Sequence, residues 1–490
     1  MSLSGLVIKN SAATMVAQAT IKILSFGFSV LVVRHLGAEQ FGQYAAVLAF
    51  GATFVFLADL GLGAYVVRAV SRLRADVTDL PQIPNLLGNT IALRLILATA
   101  AAVLLVFMAW LSDRPPAMLV ALAIGGAGLI VFGIQGACES VLAGYERLDI
   151  AAFAKIANQV VFVVLGAGAL ALGSSYHGLV VASFLGACVM TALCWYGLAR
   201  LSVRPARPQL RTWAPLLRSS APFAVIAGTL GLSYKLDSVL LNLWWGDAET
   251  GHYNAAYALV LASVFFSNSL NTALFPTLSR QVKTTPAILP QIMANALRYL
   301  LLVSLPIAIG GWALADRVVA LLYGADFGPT GVALAILVWV VPLMFVSEFL
   351  GYVVVVRGAE KRVARSVLIS TGVNVACNVA LVPWLGLTAA AIMTVVTEAV
   401  LVVQYLFYLR APLAQLPWGR VLLRPLGAAL AMGSVVYVLR DLPVVAAIGA
   451  GAVVYLLLVL ALGAIGRDDL RAALSAIMSA RYSIRASSAA

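Results

Sequence analysis

The amino-acid sequence predicts an all-α polytopic membrane protein with about fourteen transmembrane helices, built as two pseudo-symmetric six-helix lobes plus two extra helices. Composition is the first observation: 62% of the 490 residues are hydrophobic, 10% are charged and the mean hydropathy is +1.01. Soluble domains carry roughly 25% charged residues. The second observation is that apolar runs of about 20 residues, enough to cross a bilayer, recur along the chain. They lack the alternation of barrel strands, so helices are predicted.

A repeated segment is the third observation. Residues 37–44 read GAEQFGQY and residues 246–253 read GDAETGHY, with an offset from Gly42 to Gly251 of 251 − 42 = 209. Each copy follows the first long apolar run of its half, and an offset of this size accommodates six spans with their loops. The chain is therefore predicted to be a duplicated bundle.

The repeat and the charge pattern together predict five regions. They are an N-terminal six-helix lobe, a basic cytoplasmic linker, a C-terminal six-helix lobe, an appended helix pair (spans thirteen and fourteen) and a cytoplasmic amphipathic tail, at residues 1–200, 201–218, 219–410, 411–466 and 467–490.

The net charge of +13 has a topological explanation. With the N-terminus placed inside, most Lys and Arg residues fall in cytoplasmic loops and helix ends, which satisfies the positive-inside rule and predicts that both termini are cytoplasmic. The basic loops then face anionic membrane lipids, and nucleic acid is not expected as a partner. The four cysteines lie in apolar runs without metal-site spacing, so neither a metal site nor a disulfide is expected.

Charged residues inside the predicted spans are the main functional candidates, because charge at that depth is costly and marks pathways, relays or counter-ions. Lys22 lies near the middle of the first span, with Gln18 on the same helix face. Snorkelling to an interface is the alternative for Lys22, but its depth favours a position facing the lumen between the lobes. Lys235 lies in the first span of the second lobe. Asp237 lies about 200° around the helix from Lys235, so the two side chains need different surroundings.

Four further residues are candidates for substrate binding. Arg94 and Arg298 lie towards the cytoplasmic ends of their spans, where snorkelling is the simpler explanation for Arg94. Asn268 and Asn271 suit a hydroxyl-rich ligand, and interhelical hydrogen bonds explain them equally well.

Acidic residues in or near the spans are candidates for ion coupling: Asp59, Glu139, Asp237, Glu348 and Glu398. For Asp59, a local pair with one of the arginines that follow it is an equal alternative. No catalytic motif or large polar loop is present, so no enzyme activity is expected. Duplicated halves with polar residues at mid-membrane are typical of transporters that work by alternating access. We expect no cofactor, with an H⁺ or Na⁺ gradient or the membrane potential as the source of energy.

Four short segments also carry a family resemblance. Residues 9–11, 36–44, 59–63 and 234–237 read KNS, LGAEQFGQY, DLGLG and YKLD. In this order, among fourteen predicted spans, they resemble the polysaccharide-transporter (O-antigen flippase, Wzx-type) family of the multidrug/oligosaccharidyl-lipid/polysaccharide exporter superfamily. The resemblance covers essentially the whole chain.

The resemblance implies a flippase that moves a polyprenyl-pyrophosphate-linked oligosaccharide from the inner to the outer leaflet of a prokaryotic cytoplasmic membrane. Other polysaccharide-assembly proteins are implied as partners. It also implies a cationic lumen, which Lys22, Lys235, Arg94 and Arg298 would supply here. Cations would offset the desolvation of a pyrophosphate. The prenyl tail would stay in lipid, bordered by the appended helix pair.

Two alternatives remain open at this stage. A multidrug or small-molecule exporter of the same superfamily would favour an acidic lumen for organic cations, and the two mid-membrane lysines count against it. A membrane glycan polymerase or ligase would need a sizeable outward loop with acid, Arg or His groups, and the predicted outward loops are short.

Overall fold

The computed structural model describes residues 3–74, 76–284 and 288–464, and the side chains of residues 3–19 and of parts of 222–234 and 265–284 lie outside this description. Apart from turns and short 3-10 or π segments, the regular structure in these ranges is α-helical. The helices are α1 (Leu3–Asp59), α2 (Leu62–Leu73), α3 (Gln82–Leu111), α4 (Pro116–Gly144), α5 (Leu148–Ala171), α6 (Tyr176–Arg200), α7 (Trp213–Thr284), α8 (Leu289–Ala313), α9 (Ala315–Tyr323), α10 (Gly328–Leu337), α11 (Val340–Val356), α12 (Glu360–Tyr408), α13 (Arg410–Leu413), α14 (Arg424–Val438) and α15 (Val444–Ala461). The predicted amphipathic tail, 467–490, lies outside the described residues.

Three of these helices are too long to be single spans. Helix α1 has 57 residues, α7 has 72 and α12 has 49, so even α12 would measure about 74 Å against a hydrocarbon core of roughly 30 Å. Each is broken at a glycine with positive φ: Gly37 (71°), Gly246 (83°) and Gly386 (54°). Glycine adopts this backbone region without steric cost. Two of the breaks fall on the first glycine of the repeated segment, so the repeat marks the same turn in both lobes.

Nine helices in the described part of the chain are long and apolar enough to cross a membrane. The number rises to ten when Ala325–Leu337 and Val340–Val356, which meet at 43°, are taken as one bent span. This count includes α1 and α12 once each. Dividing the long helices at their glycines moves the number towards the fourteen predicted, which stays a prediction.

Helix α2 is not predicted from the sequence, in which only the arginines after Asp59 stand out. Leu62, Val66 and Val70 recur every four residues and are buried, while Arg68 and Arg72 are exposed. This is an amphipathic helix. A search for uniformly apolar runs passes over a 12-residue helix whose second face is charged.

The basic linker is fixed against the N-terminal lobe. Helix α7 begins at Trp213 and not at Ser219, so its first turn includes residues assigned to the linker. The Ala206 amide donates to the Pro84 carbonyl at 2.9 Å, and the Gln209 amide donates to Asn89 Oδ1 at 2.7 Å. These bonds hold the linker along the start of α3.

The appended helices pack on the C-terminal lobe through α8. Helix α14 contacts α8 along its length, and the Tyr455 hydroxyl of α15 donates to the Leu302 carbonyl of α8 at 2.7 Å. Met432 and Val436 are buried in the main core cluster. The pair therefore lies beside the C-terminal lobe and away from the contact between the two lobes.

Candidate functional site

The first helices of the two lobes enclose a cavity of about 240 Å³, called here the inter-lobe cavity. Its walls come mainly from α1, α5 and α7. Its polar lining residues are Ser25, Ser29, Tyr44, Gln159, Lys235, Asn254 and Tyr257. The cavity lies where the duplicated helices meet, which is where transporters built from repeats bind their substrates.

Lys235 is the cationic residue that lines the inter-lobe cavity, where it is partly buried. Lys22 precedes Ser25 and Ser29 by three and seven residues, so it shares their face of α1, and its side chain is exposed. Lys235 therefore lines the cavity, whereas Lys22 is not among its lining residues. The Gln18 side chain lies outside the described residues.

A reciprocal glycine contact joins the repeated segments of the two lobes. A Cβ atom added to Gly42 would overlap the carbonyl oxygen of Asp247, and one added to Gly251 would overlap the carbonyl oxygen of Ala38. Ala38 and Asp247 are separated by the same offset as Gly42 and Gly251, so each half of the repeat makes the same contact with the other. Side chains at either glycine would prevent this approach of α1 and α7.

A second close contact with α7 involves the end of α1 and the turn that follows it. Gly61, which has a φ of 73°, packs directly on the backbone of residues 220–224, and Gly228 packs on the ring of Phe56. The inter-lobe cavity, at about 240 Å³, is smaller than the 300–1,000 Å³ typical of ligand sites.

A buried ion pair lies in the N-terminal lobe. The Arg94 guanidinium, 3% exposed, contacts the Asp59 carboxylate, which also accepts the Gly63 amide at 3.2 Å. The pairing corrects the local alternative for Asp59, because its partner is an arginine of α3 and not one of the arginines Arg68, Arg72 and Arg74 that follow it closely in the chain. It also places Arg94 away from the inter-lobe cavity. The guanidinium fits because Gly136 has no side chain: a Cβ there would overlap Arg94 Nη1.

A second ion pair joins α4 to α5. Lys155 Nζ lies 2.5 Å from Glu139 Oε1, with both side chains partly exposed. The Glu139 charge is therefore balanced within its own lobe.

The C-terminal lobe holds its carboxylates differently. Asp237 is buried and accepts hydrogen bonds from Asn378 at 2.7 Å, from Thr394 at 3.1 Å and from the Tyr253 hydroxyl at 3.2 Å. These donors come from α7 and from both halves of α12. All three are neutral, and Asp237 forms no ion pair within the described residues.

Glu348 and Glu398 follow the same pattern. Ser267 donates to Glu348 at 2.6 Å and Asn271 at 3.4 Å, while Ser347 donates to Glu398. Glu398 and Asp237 line one small cavity of about 100 Å³. The C-terminal lobe thus contains three carboxylates held by neutral donors, two of which line the same cavity.

The remaining predicted residues lie outside the inter-lobe cavity. Asn271 is buried beside Glu348 and Asn268 is exposed. Arg298 stacks over the Tyr299 ring, 4.9 Å from its centre.

Sequence reasoning did not include Asn378, Thr394 or Tyr253 among the site residues. Their hydrogen bonds to Asp237 span up to 157 residues. Helical spacing reports only on neighbours within one helix, so it could not connect α7 to α12.

With this geometry described, the relatives of the chain can be identified. The family described as "Polysaccharide biosynthesis protein" matches residues 7–282. The chain belongs to this polysaccharide biosynthesis family. The match extends through the N-terminal lobe and across nearly all of α7, so it includes both copies of the repeated segment.

Individual relatives of this family member support the fold. It is 24% identical over 272 residues to the Haloferax volcanii protein named "Probable low-salt glycan biosynthesis flippase Agl15"; the alignment spans 55% of the chain and 57% of that protein. The lipid II flippase MurJ in an inward closed conformation superposes with a TM-score of 0.76 at 14% identity, covering 91% of the chain and 97% of MurJ. An inward-facing multidrug-resistance MATE transporter superposes with a TM-score of 0.65 at 16% identity, covering 81% and 96%. The fold is therefore that of the MurJ and MATE transporters.

Proposed function

We propose that this family member is a flippase that carries a polyprenyl-pyrophosphate-linked oligosaccharide across a prokaryotic cytoplasmic membrane for surface polysaccharide biosynthesis. The observation that carries the proposal is Lys235 on the wall of a cavity between two duplicated lobes. The family and the glycan flippase relative in Haloferax volcanii support the substrate class. In this arrangement both termini are cytoplasmic, and the partners are the lipid-linked substrate, membrane lipids and other polysaccharide-assembly proteins.

The pyrophosphate would occupy the inter-lobe cavity. A doubly charged group loses much of its hydration there, and an ammonium group on the wall offsets that cost. Lys22, on the same helix face as the cavity serines, would supply a second cation when the lobes separate. Binding across both lobes links the substrate to their rocking motion, as alternating access requires.

The prenyl tail would remain outside this cavity. A groove of about 480 Å³ lies between α8, α14 and α15. Its lining is almost wholly apolar and includes Ile307, Met432, Val436, Ile448 and Leu456. Moving a hydrocarbon chain from lipid into this apolar groove costs no transfer free energy, whereas moving it into a polar cavity would bring no favourable free energy.

We also propose that Asp237 binds the coupling ion, H⁺ or Na⁺. The Asp237 carboxylate and the Thr394 hydroxyl provide oxygen atoms, and the side-chain oxygens of Asn374 and Asn378 accept no hydrogen bond within the described residues. Oxygen donors of this kind suit a small hard cation, and a carboxylate among neutral donors can instead take a proton.

The test is complementation of a flippase-deficient strain. We expect Lys235→Ala and Lys22→Ala to reach the membrane at normal levels, because an uncharged residue inserts more readily than lysine. Both should fail to restore surface polysaccharide, because losing a charge-assisted hydrogen bond weakens binding by about 1.5–3 kcal/mol. Arginine at either position should restore transport in part.

Lys155→Ala is the matched control, since Lys155 lies in a membrane helix but does not line the inter-lobe cavity. It should support normal polysaccharide. Normal polysaccharide from Lys235→Ala would instead remove Lys235 from the substrate site. Loss of drug extrusion without loss of polysaccharide would favour the exporter.

A further inference from the structure

A larger cavity lies at the arginine-rich end of the bundle. It is bounded by α2, by the start of α3, and by the linker with the start of α7. Its volume is about 720 Å³, within the range of ligand sites. We call it the arginine trough. Its polar lining residues are Tyr65, Arg68, Arg72, Gln82, Asn85, Asn89, Gln209, Thr212 and Ser219.

The trough has a rigid wall. Asn89 is 3% exposed, and its Oδ1 accepts the Gln209 amide at 2.7 Å and the Trp213 indole at 3.1 Å. A Cβ atom at Gly88 would overlap the Ala206 carbonyl oxygen, so the linker lies directly on α3. The wall therefore does not depend on a ligand to form.

Two arginines of the trough have no structural role in the described residues. Arg68 and Arg72 are one helical turn apart and exposed, and neither forms a hydrogen bond or an ion pair in the part of the chain described. Arg74, two residues away from Arg72, is used structurally: it donates to the Gly144 carbonyl at 3.2 Å and stacks over the Tyr145 ring.

The charge of the trough is one-sided. Among the described residues no carboxylate lines the trough, and Asp79 accepts a hydrogen bond from the lining residue Gln82 at 2.8 Å. Arginine binds phosphate oxygens in pairs, and the surrounding amides and hydroxyls suit sugar hydroxyl groups.

We propose that the arginine trough binds a phosphate-bearing headgroup. Two sources share this chemistry: the pyrophosphate and first sugars of the lipid-linked glycan, and the headgroup of an anionic phospholipid. The first source rests on the proposed flippase function, and the trough would then be the cytoplasmic site that receives the substrate before the lobes open. A ligand there touches α2 of one lobe and α7 of the other.

The experiment measures local protection in the full chain, reconstituted in phosphatidylcholine nanodiscs. Position 85 lies in the trough, and alkylation of the Asn85→Cys variant by a charged maleimide is followed over time. The parent chain, which has four native cysteines, serves as the blank. We expect inorganic pyrophosphate and geranyl pyrophosphate to slow alkylation at least threefold. Arg68→Gln with Arg72→Gln should abolish this protection.

Arg204→Gln with Arg207→Gln is the matched control. These linker arginines are exposed and lie outside the trough lining. The double substitution removes the same charge from the same end of the bundle, so protection should persist.

Nanodiscs containing phosphatidylglycerol separate the two sources. Protection by that lipid alone, lost in the Arg68/Arg72 variant, would assign the phosphate site to membrane lipid. No protection by any of the three probes, or equal loss in both arginine variants, would overturn the proposal. Alkylation needs no transport, so this result is independent of whether the flippase assay succeeds.

Discussion

The two lobes hold their buried charges in opposite ways. In the N-terminal lobe, Asp59 pairs with Arg94 and Glu139 pairs with Lys155. In the C-terminal lobe, three carboxylates contact only neutral hydrogen-bond donors among the described residues: Asp237, Glu348 and Glu398. The two halves share the repeated segment, yet they hold their buried charges differently.

The difference distinguishes charged residues that stabilise the fold from charged residues whose charge state can change. In an ion pair each residue neutralises the charge of the other, so removing one partner leaves the other buried without a counter-ion. A carboxylate surrounded by neutral donors has no fixed counter-ion and gains from binding a proton or a metal cation. The N-terminal lobe is therefore expected to depend on its charges for stability, and the C-terminal lobe to use its charges for coupling.

The largest effect on stability is expected for Arg94→Ala, which leaves Asp59 without its partner. Breaking a buried pair in this way typically costs about 3–5 kcal/mol. Thermal unfolding in detergent should show a lower Tm, and the membrane level should fall. Arg94→Met with Asp59→Leu should recover most of the loss, because the pair is then replaced by apolar side chains.

Lys155→Ala is the control for this prediction. Lys155 is 48% exposed, whereas Arg94 is 3% exposed, so loss of Lys155 leaves a carboxylate that is not fully buried and should cost less than loss of Arg94. Equal losses from Arg94→Ala and Lys155→Ala would show that burial does not distinguish the two pairs.

A smaller effect is expected for Gly136→Ala, which adds one methyl group against the Arg94 guanidinium. Forcing a packed group aside costs about 1–3 kcal/mol. Gly128→Ala is a matched control on the same helix, because no atom lies within 4 Å of its added Cβ. Alanine there should raise Tm slightly through helix propensity. A neutral Gly136→Ala would mean that Arg94 can leave its position without cost.

The smallest effect on stability, with the clearest effect on transport, is expected for Asp237→Asn. The amide has the same shape, and losing a buried charge costs the fold little. The flipping rate in proteoliposomes should fall at least tenfold, and stimulation by an imposed Na⁺ or H⁺ gradient should disappear. Glu139→Gln, the matched change in the N-terminal lobe, should keep its response to the gradient. Retention of that response by Asp237→Asn would assign coupling to another carboxylate.

The sequence by itself determined the membrane class, the all-helical fold and the duplication. Composition and segment length are sufficient for the first two, because lipid leaves no other way to satisfy the backbone. The repeated segment lies after the first apolar run of each half, and the structure places the breaks at its first glycines, Gly37 and Gly246, since glycine tolerates positive φ. The sequence placed Lys22 and Lys235 on polar helix faces, because helical spacing is a local property.

Only the tertiary structure decided which charges meet. Arg94 lies 35 residues beyond Asp59, and Thr394 lies 157 residues beyond Asp237. The arginine trough likewise combines α2 and the start of α3 with the linker, whose Gln209 lies 120 residues beyond its partner Asn89. Side-chain periodicity fixes which face of a helix a residue occupies, but the neighbour of that face depends on how whole helices pack. For this reason the sequence identified most of the charged residues involved, and only packing showed which of them are neutralised.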